Sequence, residues 1–332
     1  MNIEHDPRLT SAEISYLWEA YLNESMSVCV YKYLLFHIKD TNIKSLAEKV
    51  LAGSQEYVNS IHGILTSEEI QVPQGFTDED VNLKAKRLFS DNFCLYYIRN
   101  MISLGLSGDA ISLTTIYRQD ILSLNSNNLI NLIKLNSETS QIILEKGLTI
   151  RPPYIPYPTE IEFIHKQSFI LELLGTRPLT SQEVTTLYVN ILSNNIGLCI
   201  SFGFAQITDS KEVRDYFLRG KEIGTKHLKV FSDYLEKHSL PVTMPMAINQ
   251  DVTDSSESPF SDKLLMFHYL MMMGSGASNY GNAIATSMRS DLVVDFSRLM
   301  TETMKFNEDG MNIMIKNSWF ERPPLASYRE KD

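Results

Sequence analysis

One stretch of this chain has the spacing of a metal-ligand pair, Glu162-Phe163-Ile164-His165. Residues three apart share a helical face, so such a pair can hold one ion between its side chains. A di-metal carboxylate centre in a four-helix bundle asks for more. It takes a glutamate from each of two helices and a Glu-x-x-His from each of the other two. The other acids do not follow that pattern. Glu56 and His62 stand six apart, and Glu222 and His227 five apart; Glu138-x-x-Gln141 and Glu302-x-x-Lys305 lack the histidine. They read as solvated acids, and neither a metal ligand set nor a cofactor is expected. The sequence also lacks Ser/His/Asp arrangements, phosphate-cradling glycine loops and dinucleotide fingerprints.

What the remaining polar residues can do depends on the elements that carry them, and the chain writes those elements twice. "LTSAEI" at Leu9 returns as "LTSQEV" at Leu179, a shift of 170, and Cys29 meets Cys199 in the same register. From Asp80-Val81 against Asp251-Val252 the shift is 171, so one residue has been inserted. "LFSDNF" at Leu88 then answers "PFSDKL" at Pro259, and Arg118-x-Asp120 answers Arg289-x-Asp291. Arg151-Pro-Pro likewise answers Arg322-Pro-Pro.

Each copy reads as four helices. Thr10-x-x-Glu13 and Thr180-x-x-Glu183 fit capping boxes, in which the threonine oxygen and the glutamate satisfy free N–H groups at a helix start. A second helix opens near Thr41, with Ile43, Leu46, Ala47, Val50 and Leu51 at three-and-four spacing. Its counterpart runs from Lys211 to Lys237. A third begins at about Ser90 (Ser261) and a fourth at about Arg118 (Arg289), which is expected to stop before Arg-Pro-Pro. The chain therefore reads as all-α: a bundle over residues 9–153, a proline-flanked linker over 154–178 with a short amphipathic helix from Thr159 to Leu174, and a second bundle over 179–324. That helix is expected to dock, because Ile161, Ile164, Phe169 and Ile170 need cover.

On this frame His227 and His268 fall on the second and third helices of copy two, where copy one has Tyr57 and Tyr97. Two positions that both change from Tyr to His can touch across the bundle, either as a ligand or proton-handling site or as a hydrogen-bonded pair in an apolar interior. The Arg118/Asp120 and Arg289/Asp291 pairs open the fourth helices and read as fold-maintaining, since an aspartate suits a first turn. Arg151 and Arg322 mark the ends of the copies. The methionines at 271–273, 304, 311 and 314 fit a core filler or an adaptable binding face.

A formal charge of −10 argues against a nucleic-acid partner. Cys29, Cys94 and Cys199 lie in apolar stretches without ligand spacing and read as buried thiols. The N-terminus lacks a signal-peptide pattern, and the apolar run from Leu264 is too short to span a bilayer, so the expected location is the cytoplasm.

The stretches "GFTDEDVNLKAKRLFSDNFCLYYIRNM", "KEVRDYFLRGKEIGTKH", "PFSDKLLMFHYL", "NYGNAIATSMRSDL" and "EDGMNIMIKNSWFERPP" together resemble the domain of unknown function 3231 family. Its members come from endospore-forming bacteria and are similar to spore coat protein F relatives. The resemblance spans about Leu9 to Pro324 and implies tandem ferritin-like bundles. It also implies an association with sporulation or the spore coat, and it supplies no catalytic residues. Family members tend to carry Lys-His in the middle of both second helices; Lys226-His227 keeps this, and copy one has Glu56-Tyr57 instead. The expected function is a non-catalytic bundle protein acting through protein partners or self-association. The alternative is a small ligand or metal held in copy two near His227 and His268.

Overall fold

The computed structural model describes residues 7–171, 177–242, 244, 246 and 248–326. Copy one contains α1 (Ser11–His37), α2 (Thr41–Ser67), α3 (Asp91–Leu113) and α4 (Gln119–Glu145). Copy two contains α5 (Ser181–Ile207), α6 (Lys211–Lys237), a single turn α7 (Ile248–Asp251), α8 (Asp262–Thr286) and α9 (Ser290–Lys316). Among the described residues there is no strand, only two isolated bridges.

The caps explain the helix starts. Both capping boxes form, with Thr10 and Thr180 each accepting from the N–H three residues on. Asp40, Ser90, Ser210 and Ser261 cap α2, α3, α6 and α8. The capping-box glutamates do a second job. Glu13 Oε1 also accepts from the N–H groups of Tyr117 (3.2 Å) and Arg118 (2.8 Å), and Glu183 Oε1 from those of Met288 (3.1 Å) and Arg289 (3.0 Å). One buried carboxylate therefore satisfies the starts of the first and fourth helices of its copy.

The helix ends differ from the proline-stop expectation. α4 and α9 finish six residues before Arg151 and Arg322, at left-handed Gly147 and Ser318. There Leu148 N–H donates to Ile143 C=O (3.0 Å) and Trp319 N–H to Met314 C=O (2.9 Å). Proline keeps the chain from resuming a helix and does not end it. The linker also departs from expectation. Residues 159–166 run without helix and only Gln167–Phe169 form a 3₁₀ turn; residues 172–176 of the expected helix lie outside those described. Ile161 and Phe163 are largely exposed rather than docked, while Arg177 stacks on Phe169.

The largest core cluster crosses from one copy to the other, joining Met26, Tyr33, Phe93 and Tyr97 to Phe204, Phe217, Leu264 and Tyr269. Reciprocal contacts give the copies a pseudo-twofold relation. Val81 bridges Phe260 while their register counterparts, Val252 and Phe89, bridge each other. Asn82 N–H donates to Pro259 C=O (2.7 Å), and Thr253 N–H donates to Leu88 C=O (2.9 Å). Ser90 N–H to Asp251 C=O (2.9 Å) is matched by Ser261 N–H to Asp80 C=O (3.0 Å). This is the pattern of an isologous dimer, residue i on j and j on i, within one chain. The long connections between second and third helices clasp across the axis.

α5 is long and apolar enough to cross a membrane, a property the sequence reading did not give it. Most of its apolar window is buried against neighbouring helices, as a core helix requires.

Candidate functional site

The Arg-x-Asp pairs are corner ties. Arg289 is wholly buried and grips Asp291 with Nε (3.0 Å) and Nη2 (2.6 Å), while Nη1 reaches the Arg177 carbonyl (2.8 Å) and His238 Nε2 (2.7 Å). Arg118 repeats this with Asp120 (2.8 and 2.7 Å), Glu68 (2.6 Å) and the Pro7 carbonyl (3.4 Å). Each guanidinium joins the start of the fourth helix, the end of the second and the residues before the first. Arg151 and Arg322 are exposed, and Arg151 donates to the Tyr154 hydroxyl (3.3 Å).

The two histidines are not brought together; among the described residues no hydrogen bond or ring contact joins them. His268 Nε2 pairs with the Tyr97 hydroxyl at 3.0 Å. Tyr97 is its own counterpart in the other copy, so the contact lies on the pseudo-twofold axis. His268 rests edge-on to Tyr97 and against Phe204, its Nδ1 has no partner among the described residues, and burial brings its pKa down to about 3. It is a neutral core histidine.

His227 instead heads a chain of polar groups inside copy two. Its Nδ1 meets the Tyr280 hydroxyl (2.9 Å), which also meets the Asn194 amide (3.0 Å). Its Nε2 faces Glu302 (3.2 Å), which Lys226 Nζ holds at 2.8 Å. Burial lowers the His227 pKa, and the Glu302 carboxylate offsets only part of that. The cavity beside this chain is about 40 Å³ and is lined by Gly197, Gly220, Gly224 and Gly276 among others. A ligand the size of an ordinary cofactor needs roughly 300 Å³ or more, so this space suits a few water molecules.

Tyr57, the counterpart of His227, pairs with the Tyr16 hydroxyl and lines a larger cavity of about 260 Å³ in copy one. That cavity also receives Glu24 and Asp109, which the sequence reading passed over. The register holds their signal: Glu24 stands opposite Asn194 and Asp109 opposite Tyr280, and each pair of positions lines the cavity of its own copy. The two copies therefore hold polar cores of different chemistry at one place in the fold.

Glu162 and His165 lie exposed on the linker, and among the described residues no three His, Cys, Asp or Glu side chains are grouped to hold a metal ion. The three cysteines are free and buried, and burial pushes each thiol up to about 12. Of the methionines, Met272 and Met314 fill the core, and Met304 is exposed.

Fold and interior together define a tandem, pseudo-symmetric pair of helical bundles. The chain belongs to the family described as a protein of unknown function (DUF3231), whose model matches residues 1–161 and 168–331, one match for each copy. Among solved structures it is similar to a protein from Bacillus halodurans C-125 provisionally described as a spore coat protein. The two are 18% identical, with a TM-score of 0.41 over 46% of this chain and 98% of that one. No curated protein matches the chain.

Proposed function

We propose that this is a non-catalytic bundle protein that works through contacts with a protein partner, in the sporulation setting that the family resemblance implies. The observation supporting the contact reading is the segment between the copies. Tyr154, Tyr157, Ile161 and Phe163 are 79%, 90%, 87% and 76% exposed along a backbone without regular structure. Pro152, Pro153, Pro156 and Pro158 favour an extended conformation, which a partner's aromatic-lined groove receives at low entropic cost. A run of exposed apolar side chains this dense marks an interaction site more often than bare surface.

The test is a fluorescent fusion followed through sporulation in the native host, beside a variant carrying Tyr157→Ser, Ile161→Ser and Phe163→Ser. The wild-type protein is expected to concentrate at the forespore or spore, and the variant to spread through the cell with its helical content intact. Absence of the protein from sporulating cells would refute the setting. A variant that still localises would refute the role of the linker.

A further inference from the structure

A cavity of about 160 Å³ lies between α3 of copy one and α5 of copy two, with Asn279 of α8 in its lining. Leu104 from α3 and Val189, Leu192 and Ile196 from α5 give it hydrocarbon walls. Among the described residues that line it, Arg99 alone is charged. Arg99 is half-buried and reaches the Tyr188 hydroxyl, which itself donates to the Ile150 carbonyl. Among the described residues it holds no carboxylate and no carbonyl. The other buried or half-buried arginines described, Arg87, Arg118, Arg177, Arg214 and Arg289, each grip one or the other. A guanidinium carries five donors and no acceptor, so Arg99 has donors left to offer. Packing between the copies does not call for an arginine here: the register counterpart of Arg99 is Leu270, buried in the shared core.

A second observation is independent of the charge. Asn100, Ser193 and Asn279 line the same cavity, are half-buried, and make no side-chain hydrogen bond among the described residues. Polar side chains drawn away from bulk water are mostly hydrogen-bonded, so three without a protein partner around one space mark where a polar group is received. All three can donate, as Arg99 can, and an ionised carboxylate only accepts. Its two oxygens also match the guanidinium fork. The hydrocarbon walls then suit a short apolar tail, which an inorganic oxyanion lacks. An apolar cavity of about 150 Å³ takes a molecule the size of benzene, so the tail is a small one.

We propose that this inter-copy cavity binds a small monocarboxylate, with its carboxylate on Arg99, Asn100, Ser193 and Asn279 and its apolar tail against Leu104, Leu192 and Ile196. There is one such site per chain. Across the pseudo-twofold axis the counterparts of Arg99, Asn100 and Asn279 are Leu270, Met271 and Gly108, which offer no side-chain donor. Because α3 and α5 belong to different copies, the bound carboxylate touches both of them.

The experiment is calorimetric titration of the full chain at pH 7 with the sodium salts of straight-chain monocarboxylates from acetate to octanoate. 1-Hexanol serves as a neutral control and inorganic phosphate as an oxyanion without a tail. One carboxylate per chain is expected to bind, with hexanol and phosphate not saturating in the same range. Arg99→Gln and Arg99→Leu should each weaken the carboxylate at least about tenfold, as the loss of a hydrogen bond to a charged group does. Asn100→Ala and Asn279→Ala should weaken it severalfold, while Arg298→Gln, at an exposed position on α9, leaves it unchanged. Circular dichroism of each variant separates lost binding from lost folding, and the asparagine variants carry the test if the arginine variants unfold. No saturable binding along the carboxylate series overturns the proposal. So does hexanol binding as well as hexanoate, phosphate binding in place of the carboxylates, or affinity that ignores these substitutions.

Discussion

His268 shows how one side chain ties stability to pH. In the folded protein it stays neutral down to about pH 3, against an ordinary value of 6.5. Between those values the unfolded chain binds a proton that the folded chain refuses, so acid draws the equilibrium toward unfolding. Its neighbours Tyr97 on α3 and Phe204 on α5 carry no charge, and burial alone sets the shift. Glu24 and Asp109 act in the opposite sense: their raised values favour the folded state as pH falls through 7 and 6. Comparison with His268→Gln isolates the histidine, because the acids are common to both proteins. Urea midpoints should show the wild type losing about 1 kcal/mol per pH unit relative to the variant between pH 6 and 4, with no change in the difference above pH 7.

At the scale of elements the corner ties are the most exacting feature. Arg289 needs its fork, because Nε and Nη2 both engage Asp291 while Nη1 holds the loop before α5 and the end of α6. A lysine keeps the charge and loses that geometry. Arg289→Lys is expected to cost about 2 kcal/mol in urea unfolding, the range for leaving buried acceptors such as an Asp291 oxygen and the Arg177 carbonyl without their donors. Arg118→Lys should cost less, because its partner Asp120 is 47% exposed at the side chain against 17% for Asp291.

These elements were largely legible from sequence. Capping boxes, serine caps and apolar periodicity are local signals, and the duplicated register reports each of them twice. The linker was not legible, since the apolar spacing of Ile161, Ile164 and Ile170 fits a helix, whereas docking depends on a surface that one sequence does not reveal. The site was legible in part. The register marks Tyr57, Tyr97, His227 and His268 as positions where the copies differ, and leaves open a contact between the two histidines that does not form. His268 faces the partner copy instead, and that follows from how the bundles meet, which periodicity within either one does not encode. Glu24 and Asp109 were missed because an acid among small and polar neighbours, Asn23 and Ser25 for one and Ser107 and Gly108 for the other, reads as a solvated face until the helices are assembled.

The whole molecule behaves as a dimer whose subunits have been joined. The shared core cluster and the clasped connections mean that either copy alone exposes apolar surface and leaves the backbone groups of residues 80–90 or 251–261 without partners. A chain cut between Pro158 and Thr159 and co-expressed as two pieces is expected to reassemble one to one, with the helicity of the intact protein. Each piece alone should melt well below it or pair with itself. Size-exclusion chromatography with light scattering, together with circular dichroism, reads both outcomes. A single piece that remains monomeric at the parental midpoint would refute the shared core.

The axis has one more implication. Lys86 meets Glu257 at 3.0 Å as Tyr97 meets His268, and in each case the partners occupy matching places in the two copies. Between separate identical subunits, any residue on a dyad confronts itself, so lysine would oppose lysine and histidine would oppose histidine. Covalent fusion lifts that restriction: opposite charges, or a donor and an acceptor, can be written on the two sides of the same seam. The seam then recognises one orientation of two unlike halves, a form of selectivity that a symmetric ancestor has no means to encode.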